Sequence, residues 1–130
     1  MNSKHQNIVK LYDYFLDGNE FYLIMENCKE KTLEHYLQMH KGVLPEPRAL
    51  DIMKNIMDGY KFLYDNKIIH RDLKPSNILM SNGVAKISDF GLARKVADTE
   101  TPSELSICGT PLYMAPEILM KNFYCCKFLC

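Results

Sequence analysis

Apolar positions fall into short runs first and a helical stripe later. Residues 5–16 crowd β-branched and aromatic side chains together (Ile8, Val9, Leu11, Tyr12, then Tyr14, Phe15, Leu16), which predicts a strand. Asp17-Gly18-Asn19 is a turn signal. Phe21-Tyr22-Leu23-Ile24-Met25, within residues 20–26, predicts a second strand, so the two read as an antiparallel hairpin. Residues 27–31 are polar and break the pattern, as a linker between two structural regions would. Residues 32–40 predict a short helix with Thr32 as its N-cap and Leu33, Tyr36 and Leu37 on one face, ended by Gly42.

Pro45-Glu46-Pro47 opens a longer helix, since proline is tolerated in a first turn. Counted from Ala49, the residues Ile52, Met53, Ile56, Met57, Tyr60 and Leu63 fall at i+3, i+4, i+7, i+8, i+11 and i+14, which predicts one apolar stripe with its methionines in the core. Gly59 is a mild cost inside that helix. Ile68-Ile69 predicts a short strand. Ile78-Leu79-Met80, the turn Ser81-Asn82-Gly83 and residues 84–87 predict a second hairpin. Residues 97–106 are polar and read as a mobile loop, and Pro116 starts a short helix through Leu119. Residues 123–130 are apolar and aromatic, with no later element to bury them. No repeat or low-complexity segment is present.

Composition narrows the function classes. The chain has 130 residues, enough for one core. Lys plus Arg and Asp plus Glu both number 16, and this balance argues against a dedicated nucleic-acid binder or a polybasic membrane anchor. No apolar run reaches the length of a membrane span, and the N-terminus shows no apolar signal core. The five cysteines are odd in number and form no Cys-x-x-Cys pair, so free thiols in a reducing, cytoplasmic setting are expected. Cys125-Cys126 also admits a palmitoylation reading, whereas the terminal Cys130 does not suit prenylation.

The chemistry concentrates in Ile69-His70-Arg71-Asp72-Leu73-Lys74-Pro75-Ser76-Asn77, followed by Asp89-Phe90-Gly91, Gly109-Thr110-Pro111 and Ala115-Pro116-Glu117. Asp72, on a loop between short strands, can accept a hydrogen bond from a hydroxyl and align it. Lys74 can reach a transferring phosphate. Asn77 offers a neutral oxygen and Asp89 a charged one, a donor set that suits magnesium. Taken alone, an Asp or Asn on a loop is a turn former and His70 a packed core residue. Taken in order, the set matches a known signature.

These motifs resemble eukaryotic-type protein kinases over roughly residues 5–119. The resemblance implies an α+β fold of incomplete kinase type. Residues 1–26 would be the remnant of an upper lobe, 27–31 a hinge and 32–130 a truncated helical lower lobe with catalytic and activation loops. Lys74-Pro75 and Gly109-Thr110-Pro111 look like the serine/threonine class. The implied activity is transfer of the γ-phosphate of ATP to protein Ser or Thr hydroxyls, with Mg as the metal. Asp72 and Lys74 would be catalytic, and Asn77 and Asp89 would hold the metal. Thr110 would bridge Asp72 and Lys74. Met25 would line the back of the adenine pocket, Glu26 and Cys28 would present backbone groups to the base, and Leu79 would form the floor. Thr32 stands where relatives often carry a ribose-binding acid. Arg71 resembles the arginine of kinases activated by phosphorylation, which implies an activating kinase acting on Ser106, with Thr99, Thr101 and Ser103 as weaker sites. The hinge Met25-Glu26-Asn27-Cys28 and residues 108–117 look most like the Unc-51-like autophagy kinases.

The sequence also departs from that pattern. No glycine-rich phosphate loop, phosphate-binding Lys or helix with its Glu partner precedes residue 5, and no arginine partner for Glu117 follows it. Unaided catalysis is therefore not expected, and the long helix is expected to be only partly covered. Two other readings stand beside the enzyme: a catalytically inactive fragment acting as a binding module, and a gene fragment with no independent function.

Overall fold

The computed structural model describes residues 4–96 and 108–121. Residues 97–107, which carry Thr99, Thr101, Ser103 and Ser106, lie outside the described residues, as do 122–130 with Cys125 and Cys126. The chain divides into two compact units: Met1–Tyr60 with Pro75–Ser88, and Lys61–Lys74 with Asp89–Cys130.

In the first unit, β1 (Leu11–Asp17) pairs antiparallel with β2 (Glu20–Met25). Asp17 faces Glu20 across the tight turn, where Gly18 has φ +60. Phe15 stacks on Tyr22 with ring centroids 5.0 Å apart, and a bulge between Leu11 and Asp13 shifts the register. Ile8 and Val9 are not part of this hairpin. They are buried and run beside β5 (Val84–Ile87), with Val9 N–H donating to the Ile87 carbonyl at 2.9 Å and Ile87 N–H to that of Asn7 at 2.8 Å. Sequence pattern merges 8–16 into one strand because β-branched Ile8-Val9 and the aromatic run that follows are both strand formers. The backbone splits them because two different partners compete for its hydrogen bonds.

Thr32 caps α1 (Leu33–Met39), its hydroxyl accepting from His35 N–H at 3.1 Å. The helix ends at Met39 with His40 as C-cap, earlier than the expected stop at Gly42: Lys41, at φ +54, takes the left-handed cap position with its N–H on the Gln38 carbonyl at 3.1 Å, and Gly42 N–H closes the motif on the Leu37 carbonyl at 2.8 Å. A three-residue turn (Pro75–Asn77) leads into β4 (Ile78–Ser81), which pairs with β5 across Asn82-Gly83. Ile8, Ile78, Met80, Ala85 and Ile87 form the buried centre of this unit.

The long helix α2 (Glu46–Asp65) contributes to both units. Its packed face is Ile52, Gly59 and Leu63, with Asn55 and Ile56 half-buried between them. The expected placement of the methionines in the core does not hold: Met53 is 53 % and Met57 58 % exposed, and Leu50 and Tyr64 are exposed with them. The helix is apolar on two faces, and periodicity alone blends them. Gly59 marks the true one. A Cβ there would sit 2.7 Å from the Asn7 carbonyl oxygen, so only glycine admits this approach of backbone to helix.

In the second unit, β3 (Ile68–Ile69) pairs antiparallel with β6 (Arg94–Lys95), a strand the sequence pattern does not reveal. Leu63, Ile68, Ile69 and His70 are buried, with Val96 and Ile118 packed against Ile69. A 3-10 turn (Pro111–Tyr113) precedes α3 (Pro116–Lys121).

Candidate functional site

The loop after β3 is held by its backbone before any side chain acts. Arg71 takes φ +69, a left-handed conformation that costs a non-glycine residue about 1–3 kcal/mol. Two contacts hold it there. Arg71 Nε–H donates to the Leu92 carbonyl at 2.6 Å, and Gly109, at φ +111, lies so close that a Cβ would collide with the Arg71 carbonyl oxygen. His70 is buried, sits edge-on to Phe90 at 5.1 Å, and its Nδ1 accepts from Asp72 N–H at 3.4 Å.

Asp72 then becomes the centre of a three-residue cluster. Its Oδ1 accepts from Thr110 N–H at 2.9 Å and from the Thr110 hydroxyl at 2.7 Å. Its Oδ2 lies 2.9 Å from Lys74 Nζ, which also donates to the Thr110 hydroxyl at 2.7 Å. Burial alone would push the Asp72 carboxyl up. The hydrogen bonds from Lys74 and Thr110, with the Lys74 charge, outweigh it and hold the group at about 2. The resemblance implies that Thr110 bridges Asp72 and Lys74; the structure joins all three within the second unit.

Asp89 belongs to the same unit. It is exposed, with φ +57, and its Oδ1 accepts from Gly91 N–H at 3.3 Å. Asp tolerates this conformation better than most residues, and the turn leaves its carboxylate on the surface. Asn77 lies in the first unit, buried in the turn Pro75–Asn77, with its carbonyl accepting from the Ser88 amide at 2.9 Å and the Ser88 hydroxyl at 2.8 Å.

The four residues expected at a base pocket also lie in the first unit. Met25, half exposed, ends β2, while Leu79 is half-buried in β4 and bridges to Thr32. Glu26 N–H donates to the Lys10 carbonyl at 2.9 Å. In return Lys10 N–H goes to the Glu26 carboxylate at 3.3 Å rather than to its carbonyl. Among the described residues no hydrogen bond engages the Glu26 carbonyl or the Cys28 backbone. Burial, then the charges of Glu26 and Glu30, push the half-buried Cys28 thiol up. Thr32 is committed to capping α1.

Sequence reasoning missed two participants. Lys86 is buried in β5 and contacts both Glu26 oxygens, at 2.9 and 3.2 Å. Its signal was a charged residue inside an otherwise apolar four-residue strand. Glu30 receives Gly83 N–H at 3.0 and 3.2 Å, which nothing in its local sequence announces.

Known proteins supply independent findings. Residues 1–128 match the family model described as the protein kinase domain. The serine/threonine-protein kinase atg1 of Dictyostelium discoideum is 44 % identical over 132 residues, covering 95 % of this chain and 19 % of the relative. The serine/threonine-protein kinase ATG1c of Arabidopsis thaliana is 42 % identical over 95 % of this chain and 17 % of its own length. The inactive serine/threonine-protein kinase PLK5 of Mus musculus is 34 % identical, covering 95 % of this chain and 21 % of its own. The chain thus spans about a fifth of the length of these relatives.

Proposed function

Because the chain belongs to the protein kinase family, we propose that it works as the catalytic segment of a serine/threonine kinase, using ATP and Mg to phosphorylate protein hydroxyls. The observation that carries this is the Asp72–Lys74–Thr110 cluster. When bound, Mg·ATP supplies the transferable phosphoryl group and a metal that neutralises charge developing on it. Orientation of the acceptor falls to the chain's own residues. Asp72, ionised at neutral pH, accepts a hydrogen bond from the incoming Ser or Thr hydroxyl and aligns it. A carboxylate held at about 2 is a weak base, so its work is orientation rather than early proton removal. Lys74, fixed by Asp72 and Thr110, offers positive charge beside the hydroxyl. Asn77 and Asp89 would hold the metal, an amide and a carboxylate whose oxygens suit a hard cation. The unengaged Glu26 carbonyl and Cys28 backbone fit the donor and acceptor edge of adenine, with Met25 and Leu79 as apolar walls.

Residues 27–31 serve as the hinge in this reading, and the cytoplasm as its setting. Among the described residues no helix is long and apolar enough to cross a membrane. Arg71 Nη1 is buried with no hydrogen-bond partner among the described residues, an orphaned donor that would suit a phosphate placed on Ser106 by an activating kinase. Transfer of labelled phosphate from γ-labelled ATP to a generic protein acceptor tests the proposal. Asp72→Asn and Asp89→Asn should each lower it by about 10²–10⁴-fold. Well-folded wild-type chain that transfers nothing sinks the enzyme reading.

One observation favours a second reading. The 34 % identity to an inactive family member shows that a similar sequence persists in a protein named as lacking activity. In that case the chain binds another protein without phosphoryl transfer, and partner capture survives Asp89→Asn.

A further inference from the structure

We infer that the Glu26–Lys86 ion pair positions the base-reading backbone at 26–28, making Lys86 a determinant of nucleotide affinity; this rests on the kinase reading above. Lys86 lies between Ala85 and Ile87, both fully buried, and its own side chain is only 10 % exposed. Burying an ammonium and a carboxylate is expensive, and an apolar pair of similar volume would hold a strand to its neighbour at least as well. An ion pair at this position therefore points to direction rather than strength.

That direction is visible in the backbone. The Glu26 carboxylate is fixed by Lys86 Nζ on both oxygens and also captures Lys10 N–H. Lys10 N–H is the donor that an ordinary antiparallel ladder would give to the Glu26 carbonyl. The side chain thus takes the ladder partner, and the carbonyl is left for another donor. Four residues on, the same hairpin pins the strip again. Glu30 N–H donates to the Met80 carbonyl at 3.2 Å, Met80 N–H to that of Lys31 at 2.8 Å, and the Glu30 carboxylate takes Gly83 N–H. Residues 26–31 are therefore anchored to β4–β5 at both ends, with the Glu26 carbonyl and Cys28 backbone between the anchors. Leu79, cross-strand partner of Lys86, belongs to the same hairpin, so the pocket floor and the hinge share one support. Such preorganisation raises affinity by removing an ordering cost at binding.

The test uses the full 130-residue chain and Mg·ATP as probe. Lys86→Met should weaken Mg·ATP binding by about tenfold, and Lys86→Arg, which keeps the charge, should restore it to within about threefold. In ligand-free protein, amide exchange at Glu26, Glu30 and Met80 should quicken in Lys86→Met while Ile87 stays protected. Should that variant not fold, Glu26→Gln removes the charge with little change in shape and is expected to give the same pattern. Equal affinity in wild type and variants overturns the inference alone, as does faster exchange throughout β4–β5, which would mark plain loss of packing. Wild-type chain that binds no Mg·ATP overturns the kinase reading, and this inference with it.

Discussion

At the scale of single residues, Asp72 ties chemistry to stability. Its carboxyl sits at about 2 when folded, below the ordinary value of about 3.9 for an unfolded chain. The folded state therefore binds fewer protons here than the unfolded state. The stabilisation from Lys74 and Thr110 is complete above about pH 4 and is lost as the pH falls towards 2. Asp72→Asn removes that dependence. In urea unfolding, the stability gap between wild type and variant should narrow between pH 4 and pH 2; a gap constant across that range would count against the cluster. Thr110→Val tests the other corner. It deletes the hydroxyl that accepts from Lys74 and donates to Asp72, and should cost about 1–2 kcal/mol by leaving half-buried partners short. This scale was the most legible in sequence, because Asp72, Lys74, Asn77 and Asp89 are polar residue types whose order carries the family signature. Lys86 escaped notice for a physical reason. A lysine in a short strand reads as solvent-facing, and only a partner sixty positions away, Glu26, explains its burial.

At the scale of elements, α2 separates local preference from packing. Helix propensity alone says that Gly59→Ala should stabilise by up to about 1 kcal/mol. The close Asn7 carbonyl, with the Ile87 side chain 3.1 Å from the same point, says the opposite. Backbone cannot yield as a flexible side-chain tip can, so the substitution should destabilise by about 1–3 kcal/mol. A denaturation midpoint raised by Gly59→Ala would refute this packing. The start and length of α2 were readable from Pro45 and its apolar recurrence. Which of its two apolar faces is packed was not, since Met53 and Met57 are as apolar as Ile52 and Ile56. Glycine and Asn55, which accepts Ala85 N–H at 3.1 Å, mark the packed face, and neither is apolar. Likewise β6 exists because Arg94 and Lys95 meet Ile68 and Ile69, and two charged residues carry no strand signal of their own.

At the scale of the whole molecule, the exposed apolar surface matters most. Every residue of β2 is exposed, and so is all of β1 except Leu11. Tyr14, Leu16, Phe21 and Leu23 share one face of that hairpin through the pairs Tyr14–Leu23 and Leu16–Phe21. Phe15 and Tyr22 stack on the other. A two-stranded ribbon with apolar side chains on both faces is a ready site for further pairing. The chain in isolation should therefore associate as its concentration rises. Leu16→Thr with Leu23→Thr introduces β-branched strand formers while removing apolar area from one face. Both side chains are already at least half exposed, so folding stability should change by less than about 0.5 kcal/mol per site. Sedimentation across a concentration series should then shift towards monomer. Unchanged association in this double variant, with monomer restored instead by Met53→Lys and Met57→Lys, would move the sticky surface from the hairpin to the outer face of α2. Either result says which apolar face seeks cover first, and neither depends on the Asp72–Lys74–Thr110 cluster.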